Sequence, residues 1–147
     1  MNRFLIKRTA DALDLPLPAR MSNAASGLDL YANIKHEVSI KQGERMLVPT
    51  GISIALPFGF EAQVRPRSGL ALRHGITMVN APGTVDADYR GELGVLLINL
   101  GETEYVIKRG DRIAQLVIAK VEMVDFCEVN ELPESARGSG GYGSTDK

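Results

Sequence analysis

Short runs in which apolar and polar residues alternate, separated by glycine and proline, constrain the fold of this chain more than any other feature. Residues 52–56 alternate and a Pro-Phe-Gly turn follows, and residues 60–65 alternate until Pro66 ends the run. Further runs of this kind occupy residues 38–40, 46–48, 93–100, 105–107 and 113–121. Alternation with period two and frequent turns is typical of strands in a sandwich or barrel, so the sequence predicts an all-β fold.

Two segments depart from the alternation. The continuous apolar run at residues 116–119 predicts a strand buried on both faces, as at a contact between subunits. Residues 68–73 predict one short helix, with Ser68 as its N-cap and Gly75 at its end. We therefore expect an all-β fold with one short helix.

The length and composition predict one domain followed by an arm. A chain of 147 residues with 44% apolar residues can form one core, which we place in residues 1–133. The remaining residues, 134–147, read ESARGSGGYGSTDK and cannot bury enough apolar area to offset the entropy lost on ordering. We expect them to form a flexible C-terminal arm.

Charge and cysteine content exclude several classes of function. Seventeen basic and eighteen acidic residues give a formal net charge of −1, whereas nucleic-acid-binding domains of this size show a basic surplus. Cys127 is the only cysteine, so neither an intramolecular disulfide nor a multi-cysteine zinc site can form. No apolar run reaches the roughly 20 residues that a membrane span needs, and residues 1–8 do not form a signal peptide. We expect a soluble, cytoplasmic protein that binds neither nucleic acid nor membrane.

The motif APGTVDADYRGEL at residues 81–93 contains two closely spaced carboxylates. Asp86 and Asp88 lie in a strand-like stretch, so they are expected to share one face. A calcium loop is excluded, because Leu97 stands where the twelfth position requires glutamate. Neighbours at this spacing cannot flank a sugar bond from opposite sides, as a glycosidase requires. A solvated hairpin turn explains the spacing without any chemistry.

Two further motifs, VRPRSGLA at residues 64–71 and GDRIAQL at residues 110–116, place polar groups beside apolar runs. Arg67 and Ser68 stand where a strand gives way to a helix, and their donors suit a phosphate there. A helix cap beside a surface arginine explains them equally well. Gln115 can donate to a phosphate oxygen or support water on a metal, or it can be the outward residue of an alternating strand.

The glycine-rich motif RGSGGYGST at residues 137–145 resembles a P-loop, but Ser144 fills the lysine position and the chain ends before a helix could follow. Its backbone amides can still close around phosphates, with Arg137 as the charge and Tyr142 as a stacking ring. A frayed terminus is the alternative interpretation.

The first motif along the chain, ASGLDLYA at residues 25–32, places Asp29 between two leucines. A buried carboxylate needs a partner, and Arg67 is the candidate. His36 and His74 are expected at the surface. No acid or cysteine stands near them at ligand spacing, so they make a poor metal site.

In this order, ASGLDL, PRSGLA, GTVDADYRGEL, GDRIAQL and RGSGGYGST resemble the five motifs of the trimeric dUTP pyrophosphatase (dUTPase) family. The resemblance extends from about residue 25 to residue 145. It implies a distorted, β-clip-like jelly-roll subunit and a homotrimer in which each active site is built from all three chains. It also implies Mg²⁺-dependent hydrolysis of dUTP to dUMP and pyrophosphate, which keeps uracil out of DNA and supplies dUMP for dTMP synthesis.

The resemblance also assigns roles to individual residues. Asp86 is implied as the general base that activates water for in-line attack on the α-phosphorus, and Tyr89 as the ring that packs against deoxyribose. Backbone groups around Asn80 and Gly83 are implied to pair with the uracil edge. The other substrate-binding positions implied in this way are Arg67, Ser68, Gly69, Thr84, Val85, Gln115, Arg137, Tyr142, Gly143 and Ser144. Structural roles are implied for Asp29, Asp88 and Asp111.

The cofactor and the assembly follow from the same resemblance. Mg²⁺ is implied to bind mainly through substrate phosphates and waters, with no dedicated protein ligands. The hairpin at residues 81–93 is implied to come from a neighbouring subunit, and the arm from the third. Closure of the arm would expel water and strengthen every charge contact inside the site.

Two rival interpretations remain. The first rival is a dCTP deaminase, an enzyme that shares the fold. The catalytic glutamate of that family would fall on Leu96 here, and its Arg-Ser-Ser is replaced by Arg67-Ser68-Gly69. That family also lacks a glycine-rich arm, so deamination is disfavoured on three counts. A zinc deaminase is excluded by the single cysteine. The second rival is a non-catalytic jelly-roll module that binds a nucleotide or a protein. The presence of Asp86 and Arg137 argues against it, since a binder needs no general base.

Overall fold

The computed structural model describes residues 4–141 of the chain, which form strands, one short α-helix and a 3₁₀ turn at Ala10–Ala12. The strands within the described residues are β1 (Leu5–Arg8), β2 (Leu28–Tyr31), β3 (Val38–Ile40), β4 (Arg45–Pro49), β5 (Ile52–Ala55), β6 (Phe60–Arg65), β7 (Ile76–Met78), β8 (Gly83–Val85), β9 (Gly94–Asn99), β10 (Tyr105–Ile107) and β11 (Arg112–Lys120). The helix, α1, spans Ser68–His74. The predicted all-β fold with one short helix is confirmed.

The strands form four antiparallel groups. The largest sheet has the order β2-β11-β6-β8, and a second sheet has the order β4-β9-β7. Two ribbons, β1-β5 and β10-β3, complete the set. Strand β11 is the longest, with nine residues, and it is hydrogen-bonded to β2 on one side and to β6 on the other. It is therefore the strand that brings the first, second and fourth motifs together.

Alternate residues of the strands point into an aliphatic core. In β5, Ile52 and Ile54 are buried while the residues between them are half-buried, as the alternation predicted. The largest fully buried apolar side chains are Leu30, Ile40, Val48, Ile76, Val95, Leu97, Ile107 and Ile113. None of the buried core residues in the described chain is aromatic.

The structure refines three local predictions. In the protomer Leu116 is buried, whereas the next three residues, which alternate between the two faces of β11, are half-buried; burial of this run at a subunit contact stays a prediction. The strands β1, β2, β7 and β8 lie outside the predicted runs. The N-cap of α1 is Arg67, and Ser68 is its first helical residue.

The end of the helix agrees with prediction and has two causes. Gly75 adopts a left-handed conformation with φ of 68° and donates its N–H to the carbonyl of Ala71. A side chain at this position would be strained, and its Cβ would also overlap the backbone of Gly101. A glycine is therefore required where α1 turns into β7.

Asn99 is a fully buried polar residue at the end of β9. Its side-chain amide donates to the carbonyls of Ile40 and Thr103, both at 2.8 Å, and its carbonyl oxygen accepts from the N–H of Gly101 at 2.9 Å. One side chain thus satisfies three backbone groups from two segments, which fixes the turn after β9 against β3.

A second polar junction joins the start of the chain to the turn before β11. The guanidinium of Arg109 donates to both carboxylate oxygens of Asp14, at 2.6 and 3.1 Å, and to the side-chain oxygen of Asn33 at 2.7 Å. The hydrogen bond from Arg109 lowers the pKa of Asp14, and the same bond raises the pKa of Arg109.

The last strand ends at Lys120, and residues 121–141 form no strand or helix. This segment exposes apolar side chains, among them Phe126 and Leu132. The boundary between core and arm at residue 133 stays a prediction. Within residues 4–141, no helix is long and apolar enough to span a membrane.

We predict that Asn99→Ala lowers the free energy of unfolding by about 3 kcal/mol, because it leaves buried backbone groups without partners. Urea denaturation at one fixed protomer concentration measures this loss. The control Asn23→Ala removes an exposed amide and is expected to change stability by less than about 0.5 kcal/mol. A loss below about 1 kcal/mol for Asn99→Ala would contradict the role assigned to this side chain.

We predict a second effect on stability that depends on pH. Because the folded-state pKa of Asp14 lies below its usual value of 3.8, its stabilising contribution is present above that pH and is lost as the pH falls through the folded pKa. Asp14→Asn should therefore flatten the loss of melting temperature below pH 3.8. Asp125→Asn, which removes an exposed carboxylate, should show the same dependence of melting temperature on pH as the parent. Identical profiles for the parent and Asp14→Asn would show that the pair has no such effect.

Candidate active site

A cleft of about 410 Å³ opens beside β11, and we call it the basic cleft. Its residues are Met21, Ala25, Ser26, Gly27, Asp29, Arg65, Arg67, Arg112, Gln115 and Val117. Three guanidinium groups and one carboxylate make its walls positively charged. Such a cleft suits an anion with several oxygens, such as a chain of phosphates.

Strand pairing explains why these residues meet. Gln115 of β11 is paired with Asp29 of β2 on one side and with Arg65 of β6 on the other. Residues directly opposite one another in antiparallel strands project from the same face of the sheet. The three side chains therefore form one row across three strands.

An irregularity in β11 adds Arg112 to this row. Arg112 pairs with Tyr31 while Ala114 pairs with Leu30, so β11 has one residue more than β2 at this point. Such a bulge changes which residues face which side of a sheet. Arg112 and Gln115 consequently line the same cleft although they are three positions apart.

Asp29 is the buried anchor of the basic cleft. Its Oδ2 accepts a hydrogen bond from Nη1 of Arg112 at 3.0 Å, and its Oδ1 lies 3.7 Å from Nε of Arg67. Arg67 in turn donates from Nη1 to the backbone carbonyl of Arg112 at 2.8 Å. The expected pairing of Asp29 with Arg67 is found, and Arg112 is the nearer of its two partners.

Gln115 is held by the loop between β6 and α1. Its amide donates to the carbonyl of Pro66 at 3.1 Å. A methyl group on Gly27 would overlap the Oε1 atom of Gln115, so the backbone of Gly27 lies directly against this side chain. Gln115 is half-buried and fixed, with its remaining hydrogen-bonding capacity directed at the basic cleft.

A second, smaller cleft of about 170 Å³ lies at the hairpin, and we call it the hairpin cleft. It is lined by Thr84, Val85, Asp86, Tyr89, Glu92, Leu93 and Gly94. The strand β8 ends at Val85, and residues 86–89 form a turn in which the N–H of Tyr89 donates to the carbonyl of Asp86. Asp86 and Asp88 therefore stand on a turn and not in the expected strand, although both side chains line one groove.

The hairpin cleft is rigidly built. The hydroxyl of Tyr89 donates to the backbone carbonyl of Glu92 at 3.0 Å, which fixes the ring. The carboxylate of Glu92 accepts from the N–H of Gly51 at 2.7 Å, which ties the hairpin to the core. Nη1 of Arg90 donates to the carbonyls of Ala87 and Tyr89, at 2.6 and 2.8 Å, and so holds the turn that bears Asp86.

The two clefts are separate within one protomer. Val85, the residue before Asp86, pairs with Ala62 of β6, which pairs with Ile118 of β11. Ile118 is three residues from Gln115, so two strand spacings and three residues separate Val85 from Gln115. Their Cα atoms are therefore roughly 14 Å apart. Gln63 of β6, which donates a hydrogen bond to Glu61 and accepts from Arg65, occupies the sheet between them. Asp86 does not line the basic cleft.

The remaining predicted positions are distributed around these clefts. Ser68 and Gly69 begin α1 directly after Arg67, and neither lines the basic cleft. The amide of Asn80 lies against Gly83, so close that a Cβ there would contact it at 2.9 Å. Asp111 accepts from the N–H of Lys108 at 2.8 Å and closes the turn before β11.

Arg137 lines neither of the two clefts. Arg137 is exposed and donates from Nε to the carbonyl of Gly140 at 2.9 Å, within its own turn. Asp88 is exposed on the hairpin turn and lines a neighbouring groove with Asp86. Tyr142, Gly143 and Ser144 lie outside the described residues.

Sequence reasoning missed Arg65, Arg112 and Glu92. Arg112 stands inside a quoted motif, but its role depends on the bulge, which no local pattern reveals. Arg65 lies opposite Gln115 only through strand pairing. The acceptor role of Glu92 depends on the approach of Gly51, which is 41 residues away in sequence.

Comparison with known proteins finds a matching family model and similar relatives. The family model described as dUTPase matches residues 14–146. A deoxyuridine 5′-triphosphate nucleotidohydrolase of Caldanaerobacter subterraneus subsp. tengcongensis is 60% identical over 140 residues, which are 95% of each chain. The protein of the same description from Thermoanaerobacter sp. is 56% identical with the same coverage.

Solved structures share the fold. The Staphylococcus bacteriophage 80alpha dUTPase, described with dUPNHPP, has a TM-score of 0.88 at 24% identity and covers 99% of both chains. A mutant dUTPase of phage phi11 of S. aureus, described as showing the coordination of a structural Mg(II) ion, has a TM-score of 0.79 at 20% identity. That match covers 88% of this chain and 98% of the phage chain.

Proposed function

This chain belongs to the dUTPase family, and we propose that it hydrolyses dUTP to dUMP and pyrophosphate through water activated by Asp86. The reaction adds water across the bond between the α- and β-phosphates, so one product keeps the nucleoside and the other keeps two phosphates. Removal of dUTP keeps uracil out of DNA, and the dUMP formed is available for dTMP synthesis.

The contrast between two carboxylates carries this proposal. Asp29 is buried and is engaged by Arg112 and Arg67, so its oxygens are committed to structure. Asp86 is exposed at the hairpin cleft and makes no salt bridge with any residue in the part of the chain that the structure describes. A carboxylate without a cationic partner is free to accept a proton from water, which is the task of a general base.

The basic cleft is the seat that we assign to the phosphates. The guanidinium of Arg67 and the amide of Gln115 are both fixed by backbone contacts, so they are preorganised to donate to phosphate oxygens. Ser68 and Gly69 follow Arg67 at the start of α1, and we propose that their hydroxyl and backbone N–H add further bonds to the phosphates. Fixed donors reduce the barrier because they need no rearrangement when charge develops on the phosphate.

The separation of the clefts supports a site shared between subunits. Roughly 14 Å between Val85 and Gln115, with Gln63 of β6 in between, does not favour one α-phosphate meeting both Gln115 and Asp86 of a single protomer. A homotrimer in which the hairpin cleft of one copy faces the basic cleft of the next removes this difficulty. The residues of each cleft then serve different parts of one dUTP.

The hairpin cleft is the place that we assign to the nucleoside. The ring of Tyr89, fixed by its hydroxyl, offers a flat apolar surface to deoxyribose, and close packing there leaves no room for a 2′-hydroxyl. Backbone groups of the hairpin near Asn80, Gly83 and Thr84 can pair with uracil, while buried Val85 supports the strand beneath them. A tight fit at this edge excludes a 5-methyl group.

Magnesium is proposed as the cofactor, carried by the substrate. Within residues 4–141, no three His, Cys, Asp or Glu side chains cluster closely enough to hold a metal ion. The basic cleft offers guanidinium and amide donors and one carboxylate that is already paired, a set that suits phosphate oxygens. We therefore assign Mg²⁺ to the triphosphate oxygens and waters, where it offsets the negative charge of the substrate.

The arm is proposed to complete the site from a third copy. Arg137 would meet the γ-phosphate, with Tyr142 over the uracil and the backbone amides of Gly143 and Ser144 on phosphate oxygens. Exclusion of water on closure would strengthen these contacts.

We predict that Asp86→Asn lowers kcat for dUTP by at least about 100-fold, because an amide cannot take a proton from water. Affinity for the substrate analogue dUpNHpp, measured by calorimetry with Mg²⁺ present, should stay within about threefold of the parent, because the substitution does not change the shape of the cleft. The control Glu102→Gln, an exposed carboxylate on the turn between β9 and β10, should retain parental kcat. Turnover of Asp86→Asn within about tenfold of the parent would refute the role of this residue.

We predict that deletion of residues 137–147 lowers kcat/KM by about 100-fold or more, because the phosphates lose the contacts that align them for attack. Pyrophosphate release measures the activity, and sedimentation velocity measures the assembly. The truncated protein should remain a folded trimer. Dissociation into monomers would assign the arm a structural role instead.

A further inference from the structure

Arg112 contacts two of the groups that shape the basic cleft, although the motifs assign it no role. Its guanidinium donates from Nη1 to Oδ2 of Asp29 at 3.0 Å. Its backbone carbonyl accepts from Nη1 of Arg67 at 2.8 Å. The same residue therefore holds both the buried carboxylate and the arginine that we assign to the phosphates.

The charges explain why two arginines are needed around one carboxylate. Asp29 has its side chain 12% exposed, so it must be compensated by cations close by. Arg112 takes the shorter bond, and Nε of Arg67 stays 3.7 Å from the other oxygen, beyond hydrogen-bonding distance. Arg67 thus keeps donors that are not used by Asp29.

Removal of the Arg112 side chain changes this balance. Asp29 would retain one cation within reach, and the guanidinium of Arg67 would move onto it to replace the lost bond, since an unpaired buried carboxylate is costly. Those donors would then be unavailable to a phosphate. The backbone bond from Arg67 to residue 112 cannot prevent the shift, because it holds only one nitrogen.

We propose that Arg112 is a positioning residue for dUTP binding: by occupying Asp29, it keeps the Arg67 guanidinium directed at the phosphates. This inference rests on the proposed function of the basic cleft. It assigns to the arginine of GDRIAQL an effect on substrate that passes through Arg67 and involves no contact of its own with the phosphates.

The test compares Arg112→Met, Arg112→Lys, Arg67→Met and the double variant Arg112→Met/Arg67→Met with the parent. Each is titrated with dUpNHpp in the presence of Mg²⁺, and kcat and KM are measured with dUTP. For Arg112→Met, both Kd and KM should rise about tenfold while kcat stays within about threefold, as expected when binding is lost equally in the ground and transition states. Arg112→Lys, which keeps a cation for Asp29, should recover most of the affinity.

The double variant distinguishes positioning from direct contact. If Arg112 acts through Arg67, adding Arg112→Met to Arg67→Met should raise Kd by less than about twofold, because coupled residues are not additive. A matched control, Arg45→Met, removes an exposed arginine from β4 and should bind dUpNHpp as the parent does. Circular dichroism and thermal melting establish that each variant is folded.

Several outcomes would overturn the proposal. One is a Kd for Arg112→Met within about twofold of the parent, and another is a loss of kcat with unchanged Kd. The third is a roughly tenfold loss of affinity on Arg112→Met that persists when Arg67 is already methionine. Should Arg112→Met not fold, Arg112→Gln, which keeps a hydrogen-bond donor but has no charge, replaces it in the same comparison. Its Kd for dUpNHpp should rise about fivefold. A parent that releases no pyrophosphate from dUTP would overturn the proposed function itself, whereas an active parent with an unaffected Arg112 variant overturns this inference alone.

Discussion

The pairing of β11 with two neighbours at once is the constraint on which the rest of the structure depends. This strand is hydrogen-bonded to β2 and to β6, so residues that are far apart in sequence become a row on one face of the sheet. A single slip in that register would send every side chain of the row to the opposite face. The core keeps the register, because Ile113, Ala114 and Leu116 of β11 are buried, and the cleft inherits its geometry from it.

Electrostatics then divides the carboxylates by role. Asp29 is buried between guanidinium groups and serves to hold them, whereas Asp86 is exposed on a turn and remains available to water. The same residue type thus acts as an anchor in one place and as the proposed base in another, and the surroundings decide which. The distance between the two clefts makes association of copies part of the proposed chemistry rather than an addition to it.

Much of the fold could be predicted because its causes are local. Alternation located β5, β6, β9 and β11, and Gly75 marked the end of α1 through a backbone conformation that other residues rarely adopt. The prediction of a strand at Asp86 and Asp88 was wrong because their alternation is typical of a strand, whereas residues 86–89 form a turn that the N–H of Tyr89 closes on the carbonyl of Asp86. The strands β1, β2, β7 and β8 were missed, and their partners are set by pairing with distant strands.

The sequence alone determined the fold class, the membership of the motifs in one family pattern and some of the residues that line the clefts, because these depend on residue type and order. Tertiary structure alone decided that Arg112 joins Asp29 and Arg67, since a bulge in β11 moves it to the side of Gln115. It also decided that Asp86 stands apart from the basic cleft within the protomer. The physical reason is that strand register and the approach of distant segments are set by packing across the whole core, which no short stretch of residues encodes.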